Sequence, residues 1–185
     1  MGLKSYLQRQ IIQKENRLNS RQKAMRNLSE MKSALIVCSI NTIQEYDEWL
    51  NYFEDDRKGL EKLDILACSK SKEMNGAIEG AVLNPNIIFE KQTNWLEKPK
   101  NLNYIEKFTD YKYDIVIDLN INGFFALDYV FVKSKAALKI GQGLRDDFNT
   151  YYDLCIKTND SKNQPKLFLD QVFYYLQQMN KNGHK

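Results

Sequence analysis

Residues 113–143, YDIVIDLNINGFFALDYVFVKSKAALKIGQG, decide how this chain folds. The run 113–119 is almost continuously apolar and branched, which suits a parallel strand covered on both faces rather than a half-wet one that alternates. Asn-Ile-Asn-Gly then breaks the pattern. The stretch 124–134 is too long and too apolar for a second strand of ordinary length, so it reads as a covered helix, and 136–142 returns to strand character. Strand, glycine-bearing turn, helix and strand make one βαβ unit, whose crossover is right-handed.

The same grammar extends in both directions. SALIVCSI (33–40), KLDILACS (62–69), NPNIIFEK (84–91) and YYDLCIKT (151–158) read as further strands. Between them NTIQEYDEWLNYFEDD (41–56) carries Ile43, Tyr46, Trp49, Leu50 and Phe53 at helical spacing behind a cap at Asn41 or Thr42. NLNYIEKFTD (101–110) is a short helix with Leu102, Ile105 and Phe108 on one side. The last helix, 164–181, has Pro165 in its first turn and an apolar row of Phe168, Val172, Tyr175 and Met179. The expected fold is α/β: a Rossmann-like, mostly parallel sheet flanked by helices and preceded by a long basic N-terminal helix. Two stretches, 69–86 and 141–150, read as linkers.

Charge divides the chain. Residues 1–33 hold eight Lys or Arg against two Glu, a net +6, while the remainder holds 19 basic against 22 acidic residues, a net −3. The arm lacks Pro and spaces Leu3, Leu7, Ile11, Leu18, Met25 and Leu28 at helical intervals, interrupted by Lys14 and Arg21. We therefore divide the chain into a basic helical arm (1–33) and one α/β domain (34–181). Arg9, Lys14, Arg17, Arg21, Lys23 and Arg26 are the candidate contacts to RNA or another polyanion. A protein partner or a homodimer is the other expected use of the surface. No apolar run approaches the ~20 residues of a membrane span, no secretory signal opens the chain, and a cytoplasmic location is expected.

Chemistry is sparse. Cys38, Cys68 and Cys155 lie in strand-like runs at unrelated spacings and read as small core residues, and the only histidine is His184, so neither a metal nor a cofactor is expected. Ligands of open parallel sheets bind outside the carboxyl ends of the strands. Those ends supply the candidate crevice residues Asn41, Thr42, Ser69, Asp118, Asn120, Asn122, Gly123 and Gly141, with Asp146 and Asp147 as neighbours for Asp118 and with Lys70 and Lys72 as phosphate contacts. No phosphate loop accompanies them: the GQG of 141–143 has no third glycine and no helix start behind it.

The motifs at 34–39 (ALIVCS), 113–143 and 151–158 resemble, in order, the N-terminal, acceptor-side half of bacterial lipopolysaccharide heptosyltransferases, in which a Tyr-Asp-Leu-Val-Ile-Asp-Leu strand precedes a helix and an Arg-Ile-Gly strand end. The resemblance spans about 34–181, and the chain is similar to a small bacterial family of unknown function built from that half alone. It implies a glycosyltransferase-like fold. The family's Gly-Asp base after the first strand is absent, since this chain reads CSINTIQ, and no donor-binding domain is expected. The reading favoured is thus a non-catalytic half-domain used for binding or as a scaffold, with no catalytic residue assigned. The alternative is a sugar-nucleotide or sugar-binding enzyme that uses the crevice.

Overall fold

The computed structural model describes residues 2–55, 59–71, 86–157 and 165–179. Six parallel strands form one sheet: β1 Ser33–Ser39, β2 Lys62–Ser69, β3 Ile87–Phe89, β4 Ile115–Leu119, β5 Leu138–Gln142 and β6 Leu154–Ile156. Their order is β3-β2-β1-β4-β5-β6, the doubly wound Rossmann arrangement with its switch point between β1 and β4. The register places Ile36 beside Ile65 on one side and Ile117 on the other. Cys38, Ile65 and Val116 are all buried in neighbouring strands, as the apolar runs require.

Among the described residues, five helices cover the sheet: α1 Leu3–Leu18, α2 Ile43–Asp55, α3 Leu102–Thr109, α4 Phe125–Lys133 and α5 Pro165–Gln178. One core cluster joins Ile36, Cys38 and Ile117 to Tyr46 and Trp49 of α2 and to α5. The opposite face joins Leu35, Val37 and Val116 to α1, α3 and α4. Period-2 alternation along each strand separates the two faces. The apolar excess of α4 has its reason here. α4 is sandwiched between the sheet and α1, so seven of its nine residues are buried, each large one contributing about 1.5–3 kcal/mol of transfer free energy. In α5 the buried row is Phe168, Leu169, Val172, Phe173 and Leu176. Tyr175 is exposed, because the face against the sheet is centred about one residue away from the expected row.

The basic arm is helical only to Leu18. From Asn19 the chain runs as an irregular strap beneath the amino ends of β4, β5 and β6, until the 3-10 turn Leu28–Glu30 leads into β1. Asn19 ends the helix by turning its amide to another one: Nδ2 donates to the carbonyls of Val132 and Ser134 at 2.8 Å each, capping α4. Those carbonyls have no intrahelical partner. The expected stripe through Met25 therefore does not form. Met25 is exposed, and Ile12, outside that stripe, is the α1 residue that enters the core.

Under the strap lies Lys139, 1% exposed near the start of β5. Its Nζ donates to the carbonyls of Phe131 and Val132, 2.7 Å away in each case, at the carboxyl end of α4. Burial, with Arg21 nearby, pulls the ammonium down to about 6. This lysine is a second cap for α4, placed inside a strand.

The cysteines separate. Cys38 and Cys68 are buried and unbonded, and burial pushes the Cys68 thiol up to about 12 and Cys38 still higher. Cys155, expected in the core, is exposed on the edge strand β6; an edge strand has a neighbour on one side only. In native protein a thiol-reactive dye should label Cys155 promptly, with Cys38 and Cys68 following only in denaturant. Prompt labelling of all three would contradict the packing of β1 and β2.

Candidate functional site

Asp118 ends the central strand β4 with its side chain on the face covered by α4. It is 3% exposed. A carboxylate buried this far is stable only if its oxygens are bonded, and they are. Oδ1 accepts from the backbone amide of Asn120 at 2.8 Å. Oδ2 accepts from Arg145 Nη2 at 2.8 Å and from the Tyr152 hydroxyl at 2.6 Å.

Arg145 comes from the segment after β5, which reads as a linker in sequence and is instead the keystone of this centre. Its Nη1 also donates to both oxygens of Asp128 in α4, at 2.7 and 2.9 Å, and its guanidinium stacks 4.2 Å from the Phe148 ring centroid. Asn120 closes the network: Nδ2 donates to Asp128 Oδ1 and to the carbonyl of Phe124, and Oδ1 accepts from the Phe124 amide. This bracket sets the entry angle of α4, whose N-cap Phe124 has no capping side chain.

Two carboxylates share one cation, so one negative charge is left over. Burial, offset in part by Arg145, pushes Asp128 up to about 6. Burial beside Asp118 drives Tyr152 well above the usual phenol range. The free space among Asp118, Gln142, Arg145 and Tyr152 is about 10 Å³, the room of a single water molecule. Gln142 is 4% exposed with both side-chain polar atoms unpartnered among the described residues, and one water is the partner that this space admits.

The expected crevice residues fare differently. Asp118 and Asn120 meet in this network. Gly141 is beside it: a Cβ there would fall 2.1 Å from the Tyr152 ring, so this glycine makes room for the tyrosine that bonds Asp118. Gly143, the other glycine of GQG, is likewise closed in by Lys157 and Cys155. Gly123 turns the chain at φ 65, a conformation glycine adopts without strain. Asn122 is exposed. Thr42 caps α2, its Oγ1 accepting from Glu45 N at 3.2 Å while Glu45 reaches back to Asn41 N at 2.6 Å, close to a capping box. Ser69 is buried in β2 and holds the Ser71 amide. Asp146 and Asp147 are exposed, and the carboxylate that actually neighbours Asp118 is Asp128. Lys70 pairs with Glu97 at 3.6 Å, and Lys72 lies outside the described residues.

Sequence reading missed Arg145, Asp128 and Tyr152. A usable signal existed for the first: Arg145 is the only arginine after Arg57, and arginine rather than lysine is the residue suited to bridging two carboxylates. Of the arm candidates, Arg21 pairs with Asp153 at 2.6 Å, Lys23 with Asp153 at 3.0 Å and Arg26 with Asp114 at 2.7 Å. Arg9, Lys14 and Arg17 are exposed on α1. Among the described residues, no group of His, Cys, Asp and Glu side chains could hold a metal, and no helix is long and apolar enough to cross a membrane.

Comparison with known proteins matches residues 4–179 to a family of unknown function (DUF6913). No curated protein and no solved structure matches the chain.

Removing the shared cation should be severe. Arg145→Met is expected to cost about 3–5 kcal/mol in urea unfolding, because it leaves buried carboxylates uncompensated. A loss below about 1 kcal/mol would mean that the centre is solvated. Asp128 supplies a pH test. Its folded-state value lies above that of the unfolded chain, so its contribution is complete below pH 4 and lost as pH rises through about 6. The stability of the parent relative to Asp128→Asn should therefore fall between pH 4 and 7, and a flat difference would refute the assignment.

Proposed function

The chain belongs to the DUF6913 family, and from the geometry of its strand ends we propose that it is a non-catalytic binding or scaffold module, a glycosyltransferase-like half-domain whose acceptor crevice has been closed. One observation carries the reading. Asp118, the carboxylate best placed to act as a base, has both oxygens committed within the protein. A general base must come within hydrogen-bond reach of the proton it removes, and here Arg145 and Tyr152 occupy that approach. The remaining space of about 10 Å³ is far below the roughly 300–1,000 Å³ of ordinary ligand pockets.

The partner surface in this reading is the outer face of α1. Arg21, Lys23 and Arg26 hold the strap to the body, which leaves Arg9, Lys14 and Arg17 to meet an RNA or another acidic partner. The enzyme alternative requires Arg145 and Tyr152 to swing away from Asp118, breaking charge-assisted bonds in a buried setting.

The test is direct. Purified protein incubated with a panel of nucleotide sugars should release no nucleoside diphosphate above the blank and give no calorimetric heat of binding. Turnover that disappears in Asp118→Asn would establish the enzyme alternative instead.

A further inference from the structure

Beside the closed centre there is an open cavity of about 160 Å³ between α1 and the segment joining β5 to β6. It is distinct from the Asp118 space and does not depend on whether the domain is catalytic. Its chemistry is divided. The wall includes Ile12, Phe148 and Tyr151, which give apolar and aromatic surface. Asp128 contributes a carboxylate that shares the Arg145 guanidinium with Asp118, so the pair carries one negative charge more than its cation neutralises. At the rim stand Asp147 and Arg9, and neither makes an ion pair or side-chain hydrogen bond among the described residues.

A pocket with unspent negative charge, a separate unspent cation and an apolar wall matches a small molecule carrying both charges on a compact body. We propose that this cavity binds a free α-amino acid, its ammonium held by Asp147 and Asp128, its carboxylate by Arg9, and its side chain against Phe148 and Tyr151. The volume limits the ligand to a single small molecule, since it lies well under the range for drug-sized ligands. A simple anion would satisfy Arg9 and be repelled by the two aspartates. A neutral sugar would leave both rim charges without a counter-charge.

The test uses the full-length protein and isothermal titration with the free L-amino acids. In parallel run their N-acetyl and carboxamide derivatives, simple monosaccharides and inorganic phosphate. At least one free amino acid should bind, with each blocked derivative at least tenfold weaker. Asp147→Asn and Arg9→Gln, both at exposed positions, should each weaken binding at least tenfold, about 1.4 kcal/mol, while the urea midpoint stays that of the parent. The proposal is overturned if no free amino acid binds, if blocked derivatives bind as well, if both variants bind like the parent, or if only sugars or phosphate bind.

Discussion

One guanidinium shared by a buried and a half-buried carboxylate is the constraint from which the upper half of this domain follows. Arg145 ties the end of β4 to the first turn of α4 and to the loop beyond β5. Removing charges from water costs several kcal/mol per ion, so such a centre survives only with its remaining lone pairs and protons bonded. The neighbouring residues meet that demand. Tyr152 and the Asn120 amide complete Asp118, the Asn120 side chain completes Asp128, and Gly141 is small so that the Tyr152 ring can lie across the strand end. Together these bonds join the end of β4, the start of α4 and the loop beyond β5 into one polar network.

The opposite end of the sheet is organised by a different electrostatic arrangement. The carboxyl end of α4 points toward the strap, and its orphan carbonyls take donors from Asn19 and from the buried Lys139. Asp153 then gathers Arg21, Lys23 and the Lys139 amide around one carboxylate. The Arg21 pair is almost enclosed, with side chains 8% and 12% exposed, so removing one partner strands a buried charge, unlike at open pairs such as Lys32 with Glu61, which are worth ~0–1 kcal/mol. The charge division along the chain is in good part an internal matter: a basic strap fastened to acidic strand starts.

These two electrostatic ends frame α4, and α4 in turn gives α1 its place. A helix buried on nearly every side needs a cover, and α1 supplies it through Ile12 with help from Ile11. The cavity proposed to take an amino acid lies where α1 meets the loop that carries Arg145, so a ligand there would bridge the arm and the body.

The sequence by itself determined the α/β class and the parallel sheet, because buried parallel strands demand unbroken apolar runs such as ALIVCS and IVIDL, and because helical spacing is local. It also marked Asp118, Asn120 and Gly141, since strand ends can be located from pattern alone. Only the tertiary structure decided what those residues do. Asp128, Arg145 and Tyr152 are separated from Asp118 by 10, 27 and 34 positions, and charge pairing in space leaves no periodicity along a chain. The same holds for the arm. Helix propensity favoured continuing past Leu18, but Asn19, Arg21 and Arg26 bond instead to carbonyls and carboxylates across the fold. That choice rests on partners more than 80 residues away, which no local window contains.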